Sequence, residues 1–245
     1  MPSLLSNIQH LQKVWRSMAR ASLVREMGFR GNFIAGLVRQ ALWLAAFVLV
    51  IDILFQHTSS LAGWGKEEVL LVVGLSRLFE GFSDLLFTRN LIGEFPNSVN
   101  SGKFDFALIK PIPAQFYAAF SRLHMANVGN VFAGLALIAF ALSKLAAPIS
   151  VAATLYFVLL IAIGVVVRYA ILVILASLTF VLERFNAMWA IDVLLTEPLT
   201  YPFDVFPRGS RIALTYFLPL AFMVFIPAQA LTGRLMPGWS QSALV

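Results

Sequence analysis

Hydrophobic stretches of bilayer length constrain this chain more than any motif does. From Ile149 to Leu182 the sequence stays apolar for more than thirty residues, and Arg168 is the one charge within it. A helix rising 1.5 Å per residue crosses a hydrocarbon core of roughly 30 Å in about 20 residues, so this run exceeds one perpendicular crossing. It reads either as one long tilted helix or as a helix broken near Arg168 and Tyr169.

Further runs point the same way. Spans are predicted at about 33–55, 69–88, 116–142, 149–182 and 187–203. Each is close to or beyond the length at which a helix crosses a bilayer. The expected fold is therefore an all-α integral membrane bundle of about six spans, or five if the last is absent from this chain. Composition agrees, with 60% hydrophobic and 12% charged residues.

Ahead of the first span, residues 1–32 read as a separate interfacial helix, with 33–245 as the membrane domain. Leu4, Ile8, Leu11, Trp15, Met18 and Ser22 follow helical spacing on one face, and Gln12, Lys13, Arg16 and Arg20 take the other. Such a basic amphipathic helix suits a membrane surface carrying anionic lipid, with Trp15 at headgroup level. The cations Lys13, Arg16, Arg20, Arg25 and Arg30 place the N-terminus on the cytoplasmic side. Orientation thus accounts for the net charge of +6, and no nucleic-acid partner is expected. The first apolar run begins too late and runs too long for a cleavable signal, so it stays in the mature protein.

Charge inside the spans is costly, about 2.5–3.5 kcal/mol per residue on insertion scales, and so marks a face turned toward protein or water. Arg77, Glu80 and Asp84 share one face of the second span, and Arg168 and Asp192 lie in later ones. Two readings stand: a polar path touching a substrate, and a self-neutralising cluster that orders the bundle. His124, Asn127 and Asn130 form a further polar stripe, read as interhelical hydrogen bonding, with Gly129 and Gly134 permitting close approach of helices.

Between the second and third spans lies a polar interruption, 89–113. Pro96, Gly102, Pro111 and Pro113 punctuate it, and Phe104, Phe106, Leu108 and Ile109 form an apolar group holding Lys103 and Asp105. It reads as a small helix and turn on the inner membrane surface, available to a partner. Near the other end, prolines at 198, 202, 207, 219 and 227 break every candidate helix within about a dozen residues. That pattern favours a re-entrant hairpin over 207–234 at the outer face. The alternative is a sixth, proline-kinked span from Ile212 to Arg234.

Catalytic chemistry has few footholds. There is no cysteine, no metal-ligand spacing and no nucleophile elbow. Gly63-Trp64-Gly65-Lys66 lacks the earlier glycine and the following Ser or Thr of a phosphate loop. No catalytic residue, metal or cofactor is expected on this chain. Asp52, His57, Glu67 and Glu68 are a thin case for a lipid-modifying enzyme.

The stretch Ser101-Gly102-Lys103-Phe104-Asp105-Phe106-Ala107-Leu108-Ile109-Lys110-Pro111 resembles the cytoplasmic segment after the second span in type-two ABC exporter permeases. Tyr201-Pro202, Pro207, Arg211, Pro219-Leu220-Ala221-Phe222 and Pro227-Ala228 resemble that family's outer re-entrant hairpin. Members carry a further apolar span after the hairpin. Here the sequence stops at Val245, so either that span is missing or 212–234 replaces it.

The resemblance implies an exporting half-transporter of the bacterial cytoplasmic (inner) membrane, in which two permease chains pair as a homodimer or related heterodimer around a path. Separate ABC ATPase subunits would bind ATP and Mg. Gly102, Lys103, Phe104, Asp105, Phe106, Leu108, Lys110 and Pro111 would form the coupling contact, with the aromatics in an ATPase cleft and Lys103 and Asp105 setting register. The chief rival is a secondary transporter or channel using Arg77, Glu80, Asp84, Arg168 and Asp192. No internal repeat supports that rival.

Overall fold

The structure is a computed structural model and describes residues 4–27, 30–145, 151–181 and 188–234. Among them are eleven α-helices and no β-strand, the all-α architecture that the hydrophobic runs demand. The ends of the predicted 149–182 span, the start of the 187–203 span and the tail to Val245 lie outside the described residues.

Helix α1 (Leu4–Met27) carries the basic amphipathic sequence, and α2 (Arg30–His57) the first apolar run. Ala62 and Gly63, at φ 51° and 82°, then reverse the chain and pair Leu61 with Trp64. Helix α3 (Lys66–Ser83) follows, its entry fixed by the Gly65 N–H donating to Glu68 at 2.8 Å. Every residue from Val69 to Ser76 is buried, which makes α3 the centre of the bundle.

The helical path does not stop at the predicted boundary near Thr88. Two π-helical turns, Asp84–Thr88 and Asn90–Glu94, carry it into α4 (Phe95–Asn100). Half of the predicted surface interruption is therefore helix, with Asn90, Leu91, Ile92, Phe95 and Pro96 buried. Pro96 falls in the first turn of α4, where a missing N–H is tolerated. Beyond it come α5 (Asp105–Leu108) and α6 (Ala114–Phe120).

The stretch 116–142 is not one helix. Helix α6 stops at Phe120, residues 121–124 are non-helical, and α7 (Val128–Lys144) follows a 3-10 turn at Met125–Asn127. No proline or glycine lies in the break. By contrast α8 (Val151–Ser177) is unbroken, so the single-helix reading holds and Arg168 marks no interruption.

Within 187–203 the α-helix is only α9 (Met188–Thr196), about 14 Å long at 1.5 Å per residue. Pro198 stands in the 3-10 turn Glu197–Thr200 that ends it, and Tyr201 is extended. Next, α10 (Arg208–Ile212) passes into a π turn (Ala213–Phe217), the chain reverses at Leu218 and Pro219, and a 3-10 turn (Leu220–Phe222) leads to α11 (Phe225–Leu231). Neither arm is long enough to cross a bilayer, so this region is a helical hairpin and not one kinked span. Its second arm is buried from Val224 to Ala228.

Among the described residues, three helical stretches are long and apolar enough to cross a membrane, namely Phe33–His57, Met125–Lys144 and Val151–Phe180. The charged α3 packs most extensively on α7. Small residues permit that approach: a Cβ on Gly134 would meet the Gly74 carbonyl oxygen at 2.7 Å, and one on Gly81 would meet Asn130 Cβ at 2.8 Å. Gly164 of α8 lies equally close to the hairpin, 2.8 Å from Met223 Cα by the same measure.

Candidate functional site

The five intramembrane charges predicted from sequence all enter ion pairs. Arg77 binds Glu80 one helical turn on at 3.0 Å, donates to Thr200 Oγ1 at 3.1 Å, and lies over the Trp43 ring at 4.2 Å. Asp84 faces Arg89 at 3.7 Å. Arg168 of α8 meets Asp192 of α9 at 2.6 Å, deep in the bundle. An ionised group in apolar surroundings persists only when paired, and pairing here is one to one. Within the chain, Arg77 ties α3 to α2 and to the turn after α9.

Below this cluster lies a polar knot that sequence reasoning missed. Asn90 is fully buried in the second π turn. Its amide nitrogen donates to the carbonyls of Leu86 at 3.1 Å, Ala119 at 2.8 Å and Arg122 at 2.8 Å. Its Oδ1 stands 3.3 Å from His124 Nε2. These contacts explain the break between α6 and α7. Groups that lose helical partners there find others: Leu123 N–H donates to Ser22 Oγ, His124 N–H to the Leu85 carbonyl, and Gln40 Nε2 donates to the Ala126 carbonyl. Four separate elements thus hold one unwound turn. The polar stripe with His124 pointed to interhelical hydrogen bonding, but Asn90, at the edge of a polar stretch beside Arg89, carried no signal of its own.

The segment predicted to meet a partner divides into an inward and an outward face. Gly102, at φ 71°, adopts the left-handed conformation that ends α4, its N–H donating to the Val99 carbonyl at 3.0 Å. Phe104 then turns inward, packing edge-on against Phe95 with centroids 5.0 Å apart and reaching Phe180 at 6.2 Å. It is 9% exposed, so the expectation that it reaches into a partner's cleft is corrected. Phe106, Leu108 and Ile109 point outward at 68%, 57% and 81% exposure, among exposed Lys103, Asp105, Lys110 and Pro111. Lys110 Nζ covers the Tyr117 ring at 4.1 Å.

At the opposite pole the hairpin residues are held by the turn after α2. Buried Trp64 donates to Asp204 at 2.9 Å, and Asp204 also pairs with Arg211 at 3.1 Å. Arg234 grips Glu68, accepts no bond itself, donates to the Gly63 carbonyl at 2.8 Å, and stacks over Trp64 at 4.7 Å. Pro202 is buried, Pro207 precedes the first residue of α10, Pro219 marks the reversal and Pro227 lies in the first turn of α11. Tyr201 is 6.0 Å from Phe47, centroid to centroid. Lys66 pairs with Asp52 at the same pole.

An all-α bundle with paired internal charge, a helical hairpin at one pole and an exposed apolar tip at the other is the architecture of a membrane transport component. The family model described as ABC-2 family transporter protein matches residues 41–245, and the chain belongs to that family as an ABC transporter permease. No curated protein and no solved structure matches the chain.

Proposed function

We propose that this permease works as an exporter in a dimer, coupled through the outward face of α5 to separate ATPase subunits. The observation that carries the coupling is the exposed trio Phe106, Leu108 and Ile109, presented on a short helix whose base is fixed by Phe104 against Phe95 and Phe180. A rigid base with an apolar tip transmits displacement, whereas a floppy loop would absorb it. ATP and Mg reside on the partner subunits. The export direction rests on the family resemblance.

In this reading, displacement of α5 passes through the aromatic trio into α4 and the end of α8. The helical path back to α3 then conveys it toward the Asn90 knot and the charged cluster. The ATPase states must bind the two permease conformations with different affinity, or no work is transferred. The hairpin lies at the outer face and α1 at the cytoplasmic face of a bacterial inner membrane, following the basic N-terminal segment. One-to-one pairing of the internal charges argues against a secondary transporter that titrates them.

The test uses the full permease co-expressed with its ATPase and reconstituted into vesicles. Phe106→Asp with Leu108→Asp is expected to abolish co-purification and permease-stimulated ATP hydrolysis while leaving the permease's thermal midpoint unchanged. Retention of both activities in that variant would sink the coupling assignment.

A further inference from the structure

A seam between α1 and α6 holds two adjoining cavities of opposite character. The first, about 320 Å³, has Arg25, Lys110 and Arg122 in its wall with Glu94 as the one carboxylate among the described lining residues. Glu94 is already engaged by Arg122 at 2.7 Å, so cationic charge is left over. The second cavity, about 310 Å³, lies further toward the start of α1 and is lined by Leu11, Gln12, Trp15, Phe116 and Phe120. Leu11, Trp15, Met18, Ser22 and Arg25 recur at three- and four-residue spacing, so one face of α1 lines both.

We propose that this seam binds one anionic phospholipid, its phosphate in the cationic cavity and an acyl chain along the aromatic one. Leu11 and Arg25 are separated by about 21 Å of helix at 1.5 Å per residue, a span suited to a headgroup with much of one chain. A free phosphate would use only the cationic end, and an uncharged lipid would leave the cavity's net positive charge unneutralised. Charge complementarity and the apolar continuation together select the anionic amphiphile.

The same seam touches the moving parts. Phe95, Ser98 and Phe104 belong to the cationic cavity's wall, and so does Ser22, whose hydroxyl accepts from Leu123 in the broken helix. A bound lipid would brace α1 against the base of α5 and the Asn90 knot. The site itself does not depend on the ATPase assignment, so the two can fail separately.

The test is native mass spectrometry of the full purified chain in detergent, titrated with dioleoyl phosphatidylglycerol or dioleoyl phosphatidylcholine. Wild type is expected to retain one phosphatidylglycerol in preference to phosphatidylcholine. Arg25→Gln with Arg122→Gln is expected to lower that retention about tenfold, both side chains lying at the protein surface. Ala118→Trp, which narrows the cavity with every charge kept, is expected to lower it as well, and thermal midpoints confirm that the variants fold. Equal retention of the two lipids, or wild-type retention by both variants, overturns the proposal. Displacement of phosphatidylglycerol by millimolar glycerol 3-phosphate also overturns it, by reducing the seam to a headgroup-only anion site.

Discussion

Arg168 of α8 and Asp192 of α9 meet at 2.6 Å with side chains 2% and 7% exposed. The pair joins the most apolar of the membrane-length helices described to a short helix that could not span a bilayer alone. Removing either partner strands the other charge in apolar surroundings, at a cost of about 3–5 kcal/mol. Arg168→Leu and Asp192→Leu are each expected to lower the thermal midpoint sharply, and the double variant much less. Additive losses in a double-mutant cycle would show that the two groups act independently.

Asn90 predicts a local effect. In Asn90→Ala the carbonyls of Ala119 and Arg122 lose their donor within a buried site, a loss of about 1–3 kcal/mol. Hydrogen exchange at Leu123 and His124 should accelerate more than exchange in α7, because their amides belong to the same unwound turn. Uniform acceleration across both would instead mean that Asn90 supports the whole bundle.

The α3–α7 contact has little tolerance for bulk. A Cβ on Gly134 would come within 2.8 Å of Leu78 Cα, backbone that has no rotamer to escape by. Gly134→Ala is expected to cost about 1–3 kcal/mol through overpacking, read as a lower thermal midpoint. Gly209→Ala, where nothing lies within 4 Å, serves as the control and should be near neutral.

The two aromatics of the partner-facing segment should separate by assay. Phe104→Ala removes a buried ring packed on Phe95 and Phe180, a loss of about 3–5 kcal/mol for a core aromatic. Phe106→Ala removes a ring that is 68% exposed and should leave the midpoint of the isolated permease unchanged. Equal destabilisation by the two would contradict the inward and outward division of the segment.

Much of this architecture is legible from periodicity and apolar length. The α2 and α8 runs, the helical hairpin with its prolines and the left-handed turn at Gly102 each follow from local chemistry. Gly134 likewise reads as a contact glycine, since a small residue in an apolar helix has few other uses. The break after Phe120 is different. Ser121 to Asn127 contains neither proline nor glycine, so nothing local says that the helix must open there. Its cause sits in Asn90, Ser22, Gln40 and the Leu85 carbonyl, all distant in sequence.

By itself the sequence determined that the chain is helical, that it is built for lipid and that its internal charges needed partners, because burial costs and helical periodicity are local properties. Tertiary structure alone decided which charge met which, that Phe104 turns inward while Phe106 does not, and where a helix without a breaker would unwind. Those outcomes depend on hydrogen-bond donors and packing surfaces that only folding brings within reach of one another.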